Sequence, residues 1–205
     1  VERIAPVPCN VIREKYGLEK DSYILYVGRI SPEKGPQDLL EAYQKLRLQE
    51  RLVLAGPIPE TEFGKEMIKR IDADPRVIRT GLVQGQELAE LFSNCRLFVL
   101  PSHTEGLSLA LLEAMSCGGR CLVSDIPANT VITGQYGAEF EAENIDSLAA
   151  ALSKELTTPK DEELLKQEME YVKENFDYDA VIEWHEDVYK CALNRKNEKR
   201  WEQNC

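Results

Sequence analysis

The sequence lacks the features of membrane proteins and of general nucleic-acid binders. None of its hydrophobic runs reaches the ~18–20 residues that a membrane-spanning helix needs. Positive charge is scarce, because 25 Lys and Arg stand against 36 Asp and Glu, giving a formal net charge of −11. A general nucleic-acid binder needs a basic face. The composition therefore argues against that class, although it leaves room for a local basic pocket.

Motifs of several common enzyme classes are missing as well. No GxGxxG follows the first predicted strand and no GxxxxGK[ST] occurs, which argues against a standard NAD enzyme and a P-loop NTPase. The serines lack the GxSxG context of a serine hydrolase. No carboxylate cluster resembles a dedicated Mg²⁺ site. The sequence therefore predicts no metal site.

Cysteine is present, but not in a metal or disulfide pattern. The six cysteines form no CxxC pair, and the two histidines are far from a zinc arrangement. Cys95 and Cys121 flank apolar strand-like runs, and we expect them to behave as small buried hydrophobic residues. A reducing, cytoplasmic setting is the simpler interpretation.

The sequence does contain a regular alternation of strands and helices. Short apolar runs alternate with amphipathic segments, which is typical of a parallel sheet covered by helices on both faces. The predicted strands are Tyr23–Val27, Arg51–Ala55, Val77–Thr80, Arg96–Leu100, Cys121–Ser124 and Ala138–Phe140. The predicted helices include Pro36–Gln49, Glu60–Ala73, Gln84–Asn94 and one beginning near Gly106. After a loop region at Asp125–Gly137, which could include a short helical turn, the pattern becomes helical at Asn144–Leu156, Asp161–Asn175 and Tyr178–Lys196.

Two cations follow the first predicted strand on a short loop. Arg29 and Lys34 lie between Gly28 and Gly35, and ligands of doubly wound sheets bind at the carboxyl ends of strands. Arginine offers a planar fork for phosphate oxygens, and lysine offers a mobile point charge. From these residues alone, phosphate binding and a pair of solvated surface charges are equally well supported.

The stretch PSHTEGLSLALLEAMSCG, Pro101 to Gly118, carries two acids in a loop that leads into an apolar helix. A helix that begins near Gly106 would present free amides suited to an anion, those of Gly106, Leu107 and Ser108. Glu105 stands at its mouth and Glu113 about two turns inside. At about 1.5 Å per residue the acids are on the order of 10–12 Å apart. That is too far for a catalytic pair, but it suits the two ends of an extended ligand.

Each of these polar residues also has a simpler explanation. Glu105 could be no more than an acid at the N-terminus of the helix, where the helix dipole favours a negative charge. Glu113 could bind a vicinal diol such as a ribose, or it could face water on the outer side of the helix. His103 could touch a bound group, although a place at the rim of the site is preferred.

The segments VGRISPEKG and LFVLPSHTEGLSLALLEAMSCG together resemble the donor-binding domain of retaining GT-B glycosyltransferases, specifically glycosyltransferase family 4. Glu105 and Glu113 match its E-x7-E pattern, and the resemblance extends from about Tyr23 to Tyr189. It implies an α/β, Rossmann-like doubly wound sheet, one half of a GT-B fold, with a helical C-terminal extension. The implied organisation is a lead-in at 1–20, a nucleotide-sugar-binding domain at 21–175, and a C-terminal helix and tail at 176–205.

The resemblance also implies roles for individual residues. Arg29 and Lys34 would hold the diphosphate, Glu105 would contact the sugar, and Glu113 would bind ribose hydroxyls. The first three form the implied catalytic set. The full set of implied donor-binding residues is Gly28, Arg29, Lys34, Val83, Glu105, Gly106, Leu107, Ser108 and Glu113.

The implied activity is transfer of a sugar with retained configuration, without metal or cofactor. The donor would be a nucleotide sugar such as UDP-glucose, GDP-mannose or ADP-glucose. The acceptor, a carbohydrate or a lipid-linked molecule, would be bound by an amino-terminal domain that this sequence does not contain. The C-terminal helix and tail would pack back toward that domain. The implied location is cytoplasmic or membrane-peripheral.

Two points qualify this interpretation. The family usually has a form close to CG-x-PV after the focal helix, whereas this sequence has CGGRC, so that Arg120 enters the next strand. The alternative function is a stand-alone nucleotide-sugar-binding or regulatory module that acts through a partner chain. Phosphorylase-like and epimerase-like relatives are disfavoured, because no cofactor lysine and no matching acid pattern can be found.

Overall fold

The computed structural model describes residues 6–176. They contain a six-stranded sheet in the order β3-β2-β1-β4-β5-β6, in which every adjacent pair is parallel. This is the strand order of the doubly wound, Rossmann-like fold, and it confirms the predicted fold class. The strands are β1 Tyr23–Val27, β2 Arg51–Ala55, β3 Val77–Gly81, β4 Leu97–Leu100, β5 Cys121–Ser124 and β6 Ala138–Phe140.

Helices connect and cover these strands. In chain order they are α1 Val11–Tyr16, α2 Pro36–Lys45, α3 Glu62–Asp72, α4 Gly85–Asn94, α5 Leu109–Ser116, α6 Pro127–Thr133, α7 Ile145–Thr157 and α8 Glu162–Phe176. A short 3-10 turn spans Pro32–Lys34. Within residues 6–176, no helix combines the length and the hydrophobicity needed to cross a bilayer.

The sheet is buried on both faces, and β1 shows how its sequence achieves this. Side chains alternate across a strand, so Tyr23 and Leu25 pack into one core while Ile24 and Tyr26 pack into the other. All four are fully buried. The first core includes residues of α1, α4, α5 and α8, and the second includes residues of α2, α3 and α7. An uninterrupted apolar run is what such a doubly covered strand requires.

The lead-in segment also belongs to the first core. Its residues Cys9, Ile12 and Leu18 are buried there. Glu90 on α4 accepts hydrogen bonds from the amides of Asn10 and Ile12 through Oε2, at 2.9 and 3.2 Å. Burial opposes the charge of Glu90, but these backbone hydrogen bonds hold its pKa below the usual range. The start of α1 is thereby tied to α4.

Two predicted helix boundaries are wrong. α2 ends at Lys45 rather than Gln49. α5 begins at Leu109 rather than near Gly106, because the Ser108 hydroxyl accepts a hydrogen bond from the amide of Leu111 and caps the helix there. The Asp125–Gly137 region, predicted as a loop that could include a short helical turn, contains the seven-residue helix α6, whose first residue is Pro127. The predicted helix at Tyr178–Lys196 lies outside the described residues.

The predicted burial of two cysteines is confirmed. Cys95 and Cys121 are each 1% exposed. Burial raises the pKa of both thiols, to about 12 for Cys95. They therefore behave as small hydrophobic residues.

The strand order reverses at the centre of the sheet, between β1 and β4. β1 and β4 are neighbours, with Ile24 opposite Leu97 and Leu25 opposite Phe98. The chain proceeds outward from β1 to β2 and β3, and in the opposite direction from β4 to β5 and β6. α2, which follows β1, packs on one face of the sheet, and α5, which follows β4, packs on the other. The carboxyl edge between β1 and β4 is therefore the crevice position at which such sheets usually bind ligands.

Candidate active site at the carboxyl ends of β1 and β4

The loops that follow β1 and β4 are joined by an ion pair. Lys34 Nζ lies 2.7 Å from Glu105 Oε2. The side chain of Lys34 is 23% exposed and that of Glu105 only 8%. The structure therefore brings together two of the predicted site residues, 71 positions apart in the chain, with the carboxylate in the more buried position.

The same two loops approach closely through their backbones. Gly35 has a φ of +66°, in the left-handed region that favours glycine. A Cβ atom built on Gly35 would lie 2.0 Å from the carbonyl oxygen of Pro101. Only glycine fits this position, and the contact places Lys34 beside the loop that carries Glu105.

A chain of buried hydrogen bonds leads to the Glu105 carboxylate. Ser102 Oγ donates to Glu105 Oε1 at 2.7 Å. The carbonyl of Ser102 in turn accepts from Ser124 Oγ at 2.5 Å, and Ser124 Oγ accepts from the amide group of Asn129 at 2.9 Å. All three supporting residues are fully buried. Both oxygens of Glu105 are thus held, one by a lysine and the other by this chain of hydrogen bonds.

Arg29 is placed differently from Lys34. Its side chain is 63% exposed and lies 3.7 Å from Glu33, which is also bound by the hydroxyl of Ser31. The Ser31 hydroxyl and the nearby cations lower the pKa of Glu33. Arg29 is therefore a solvent-facing cation at the carboxyl edge of the sheet, with one long ion-pair contact.

The loop before α5 offers a run of unused backbone donors. Within the part of the chain that the structure describes, the amides from Gly106 to Ala110 donate no hydrogen bond to the protein. The prediction of free amides at Gly106, Leu107 and Ser108 agrees with this arrangement. The prediction that they belong to a helix is wrong, since α5 begins at Leu109. The donors of Gly106 and Leu107 lie instead on an exposed loop.

Glu113 lies on α5, as predicted, but nearer the start of the helix. It is the fifth residue of α5, about one turn inside rather than two. The residue is partly buried, and burial raises the pKa of its carboxyl. Its carboxylate makes no hydrogen bond within residues 6–176.

The loop after β3 has one exposed and one buried apolar side chain. Leu82 is 69% exposed, whereas Val83 is 7% exposed and packs into the first core. Gly81 has a positive φ of 71° with no atom near its Cβ position. If Val83 meets a ligand, it does so through its backbone.

Sequence reasoning missed one polar contact at this site. His103 Nε2 lies 2.5 Å from Asp38 Oδ2. The sequence predicts a place for His103 at the rim or against a bound group, and it indicates no role for Asp38. The residues are 65 positions apart and share no motif, so the sequence carries no signal for this pair. Among the described residues, no group of three or more His, Cys, Asp or Glu is arranged to hold a metal ion.

The fold and this edge of the sheet define a class of protein. A Rossmann-like sheet with cations and free amides at its central crevice is the architecture of nucleotide-binding α/β domains. Residues 10–174 match the family model described as glycosyl transferases group 1. The chain belongs to this family, and its Rossmann-like fold is that of one half of a GT-B glycosyltransferase.

Relatives of known activity cover most of this chain. It is 31% identical over 157 residues to O-antigen chain mannosyltransferase B of Escherichia coli, a match of 74% of this chain and 41% of that protein. It is 27% identical over 192 residues to N-acetyl-alpha-D-glucosaminyl L-malate synthase of Bacillus anthracis, a match of 89% of this chain and 49% of that enzyme. The chain thus spans half or less of the length of these relatives.

Solved structures show the same fold. Sucrose-phosphate synthase from Thermosynechococcus elongatus superposes with a TM-score of 0.74 at 25% identity, over 92% of this chain and 50% of that one. HepE from Anabaena, solved in complex with UDP-glucose, superposes with a TM-score of 0.78 at 19% identity, over 93% of this chain and 54% of that one. Each match again covers about half of the solved chain.

Proposed function

We propose that this chain is the donor-binding half of a retaining glycosyltransferase of glycosyltransferase family 4. The observation that carries the proposal is the Lys34–Glu105 ion pair at the central crevice, directly before a run of unbonded amides. A nucleoside-diphosphate sugar has a dianionic centre and a hydroxyl-rich group at either end. The crevice offers cations and amides for the first and two separate carboxylates for the second.

Lys34 and Arg29 are the groups proposed for the diphosphate. Lys34 supplies a positive charge held by a buried carboxylate, and Arg29 supplies an exposed guanidinium that can turn inward. The amides of Gly106 and Leu107 face the distal phosphate or the sugar, and the backbone of Gly28 borders the same loop. When the bond to the sugar breaks, negative charge grows on the departing diphosphate. Preoriented donors stabilise that charge without reorganising, and we propose that they do so without a metal.

Two carboxylates are proposed for the hydroxyl groups. Glu105 accepts from the sugar, beside the capping residue Ser108 at the entrance of α5. Glu113, about one turn inside α5, accepts from the ribose, and the loop that contains Val83 covers the base. The reaction retains the anomeric configuration and requires no covalent intermediate on the enzyme.

The complete reaction needs residues beyond this chain, which spans 41% of the mannosyltransferase relative. We propose that another domain binds the acceptor, a carbohydrate or a lipid-linked molecule. Relatives named as mannosyltransferases, one of them GDP-mannose-dependent, favour GDP-mannose as donor. UDP-glucose is the second donor candidate, because HepE was solved in complex with it. The buried cysteines suit a reducing, cytoplasmic compartment.

A thermal-shift panel tests the proposal. UDP-glucose, GDP-mannose, ADP-glucose and the corresponding mono- and diphosphates are added to the wild-type chain. At least one nucleotide sugar should raise the melting temperature, because a ligand of the native state stabilises it by mass action. Lys34→Ala should abolish the shift by diphosphates and sugars, and Glu113→Ala should abolish it for every nucleotide.

Lys45→Ala serves as the control, because Lys45 ends α2 in an exposed pair with Asp146 away from the crevice. This variant should respond as the wild type does. A wild-type chain that responds to none of the nucleotides would overturn the proposed function. Equal responses from the Lys34 and Glu113 variants and the wild type would show that the assigned site is wrong.

A further inference from the structure

Asp38 and His103 form a second link between the two loops, outside the proposed donor contacts. Asp38 lies in the first turn of α2, and His103 lies in the loop after β4. Their side chains meet at 2.5 Å between Nε2 and Oδ2 and are 18% and 23% exposed. A carboxylate in the first turn of a helix is also favoured by the helix dipole. Partial burial and the helix dipole therefore both stabilise this contact.

The backbone of His103 is fixed to the same opposing loop. Its amide donates to the carbonyl of Glu33 at 2.9 Å, and the amide of Thr104 approaches that carbonyl at 3.4 Å. The backbone of His103 is thus bound to Glu33, directly before Lys34, and its side chain is bound to Asp38, four residues after Lys34. Two residues beyond His103 lies Glu105, the partner of Lys34.

We propose that Asp38 and His103 are positioning residues, which hold the loop after β4 against α2 and so fix the Lys34–Glu105 pair for the donor. This inference rests on the proposed function. The ring nitrogen Nε2 is committed to Asp38 and is turned toward α2. His103 therefore acts through Lys34 and Glu105 rather than by touching the donor.

The proposal separates two parts of the donor site. Lys34 and Glu105 serve the diphosphate and the sugar, whereas Glu113 serves the ribose from α5. Loss of the Asp38–His103 contact should weaken binding of the nucleotide sugar and leave binding of the nucleoside monophosphate unchanged. A general loss of structure would weaken both.

The first measurement needs no ligand. Amide hydrogen exchange of the peptide spanning residues 101–106 is compared in the wild type, Asp38→Ala and Asp146→Ala. Asp146→Ala is the matched control, because it removes an aspartate that pairs with the other end of the same helix, Lys45 to Asp146 at 2.8 Å. Exchange should quicken in Asp38→Ala alone. Unchanged exchange in Asp38→Ala would overturn the proposal whether or not the chain binds nucleotide sugars.

The second measurement is a double-mutant cycle in affinity for the nucleotide sugar that the thermal-shift panel selects. Asp38→Ala and His103→Ala should each weaken binding by about 10-fold, the effect of one lost hydrogen bond to a charged group. The double variant should be no weaker than either single variant, because both remove one contact. Asp38→Asn keeps an acceptor oxygen and should restore most of the affinity.

Two results of the cycle would contradict the proposal. If His103→Ala weakens binding and Asp38→Ala does not, His103 contacts the donor directly. If the two effects multiply in the double variant, the residues act independently. Failure of the wild type to bind any nucleotide sugar would refute the proposed function, while the exchange measurement would still decide whether the pair positions the loop.

Discussion

The Glu105 side chain is held at both of its carboxylate oxygens. Its Oε2 atom is bound by Lys34 and its Oε1 atom by Ser102, each at 2.7 Å. A carboxylate held from two directions presents its remaining lone pairs at fixed angles. Such prior orientation reduces the cost of binding a sugar hydroxyl.

Ser102→Ala should loosen this carboxylate without removing its charge. We expect affinity for a nucleotide sugar to fall by about 3- to 10-fold, because a hydrogen bond to a charged group is lost. Affinity for the nucleoside monophosphate should not change. Calorimetric titration measures both. Ser116→Ala is the matched control, since its hydroxyl donates to a carbonyl within α5, and equal losses in the two variants would contradict the role given to Ser102.

Gly35→Ala should be among the most destabilising single changes in this loop. It combines a positive φ with a Cβ position 2.0 Å from the Pro101 carbonyl oxygen. Gly17→Ala isolates the first effect, because Gly17 has a φ of +63° and open space around its Cβ position. Chemical denaturation should show a loss of about 1–2 kcal/mol for Gly17→Ala. Gly35→Ala should lose at least about 2 kcal/mol more, from overpacking, and similar losses in the two variants would refute the close approach.

Among the elements, the C-terminus of α7 explains the arginine that departs from the family pattern. Arg120, just before β5, pairs with Glu155 Oε2 at 2.9 Å. It also donates to the carbonyls of Glu155 and Thr158 at 2.9 and 2.8 Å. The last carbonyls of a helix lack partners within it, and a cation there is favoured by the dipole. Arg120 therefore secures α7 against the sheet.

Arg120→Ala should cost about 3 kcal/mol of unfolding free energy, because it leaves the buried Glu155 carboxylate without its partner. Removing both groups in Arg120→Ala/Glu155→Ala should cost less than the sum of the single losses. Arg79→Ala is the control, because it breaks an exposed pair with Asp72 and should cost less than about 1 kcal/mol. Urea denaturation gives all four values, and additive losses at Arg120 and Glu155 would contradict the account.

The strands were easier to predict than the helix boundaries, for a physical reason. A strand covered on both faces must be apolar throughout, and the runs at Tyr23–Val27 and Cys121–Ser124 coincide with the observed strands. The start of α5 depends on which of several polar residues caps it. Ser108 does so, while Glu105, which the sequence places at the mouth of the helix, pairs with Lys34.

The same distinction holds for the site. The sequence predicts Arg29, Lys34 and Glu105 at one edge of the sheet, because they follow strands whose carboxyl ends share that edge. The fact that Lys34 and Glu105 touch, and that His103 meets Asp38, depends on loop conformations that no periodicity encodes. The roles of these residues toward a donor remain predictions.

For the whole molecule, Glu168 ties stability to pH. It lies on α8 and is 1% exposed, and its Oε1 atom has no partner within the described residues. Burial raises the pKa of this carboxyl from 4.5 to about 8. Between these values the unfolded chain releases the proton and the folded chain keeps it. Stability from this group is therefore full below about pH 4.5 and is lost as pH rises toward 8.

Glu168→Gln should remove this loss. One pKa unit corresponds to about 1.4 kcal/mol, so the variant should be more stable than the wild type by a few kcal/mol at pH 8. The difference should shrink toward pH 4.5. Glu170→Gln, at an exposed position on the same helix, should follow the wild type. Melting temperatures measured across this range would contradict the account if Glu168→Gln gained nothing at high pH.

The central claim is that the crevice between β1 and β4 binds a nucleoside-diphosphate sugar. Isothermal titration calorimetry of the wild-type chain with GDP-mannose, UDP-glucose and ADP-glucose tests it most directly. The account predicts saturable 1:1 binding of at least one donor, lost in Lys34→Ala and retained in Lys45→Ala. No heat from any of the three donors, or equal affinity in the wild type and Lys34→Ala, would contradict it.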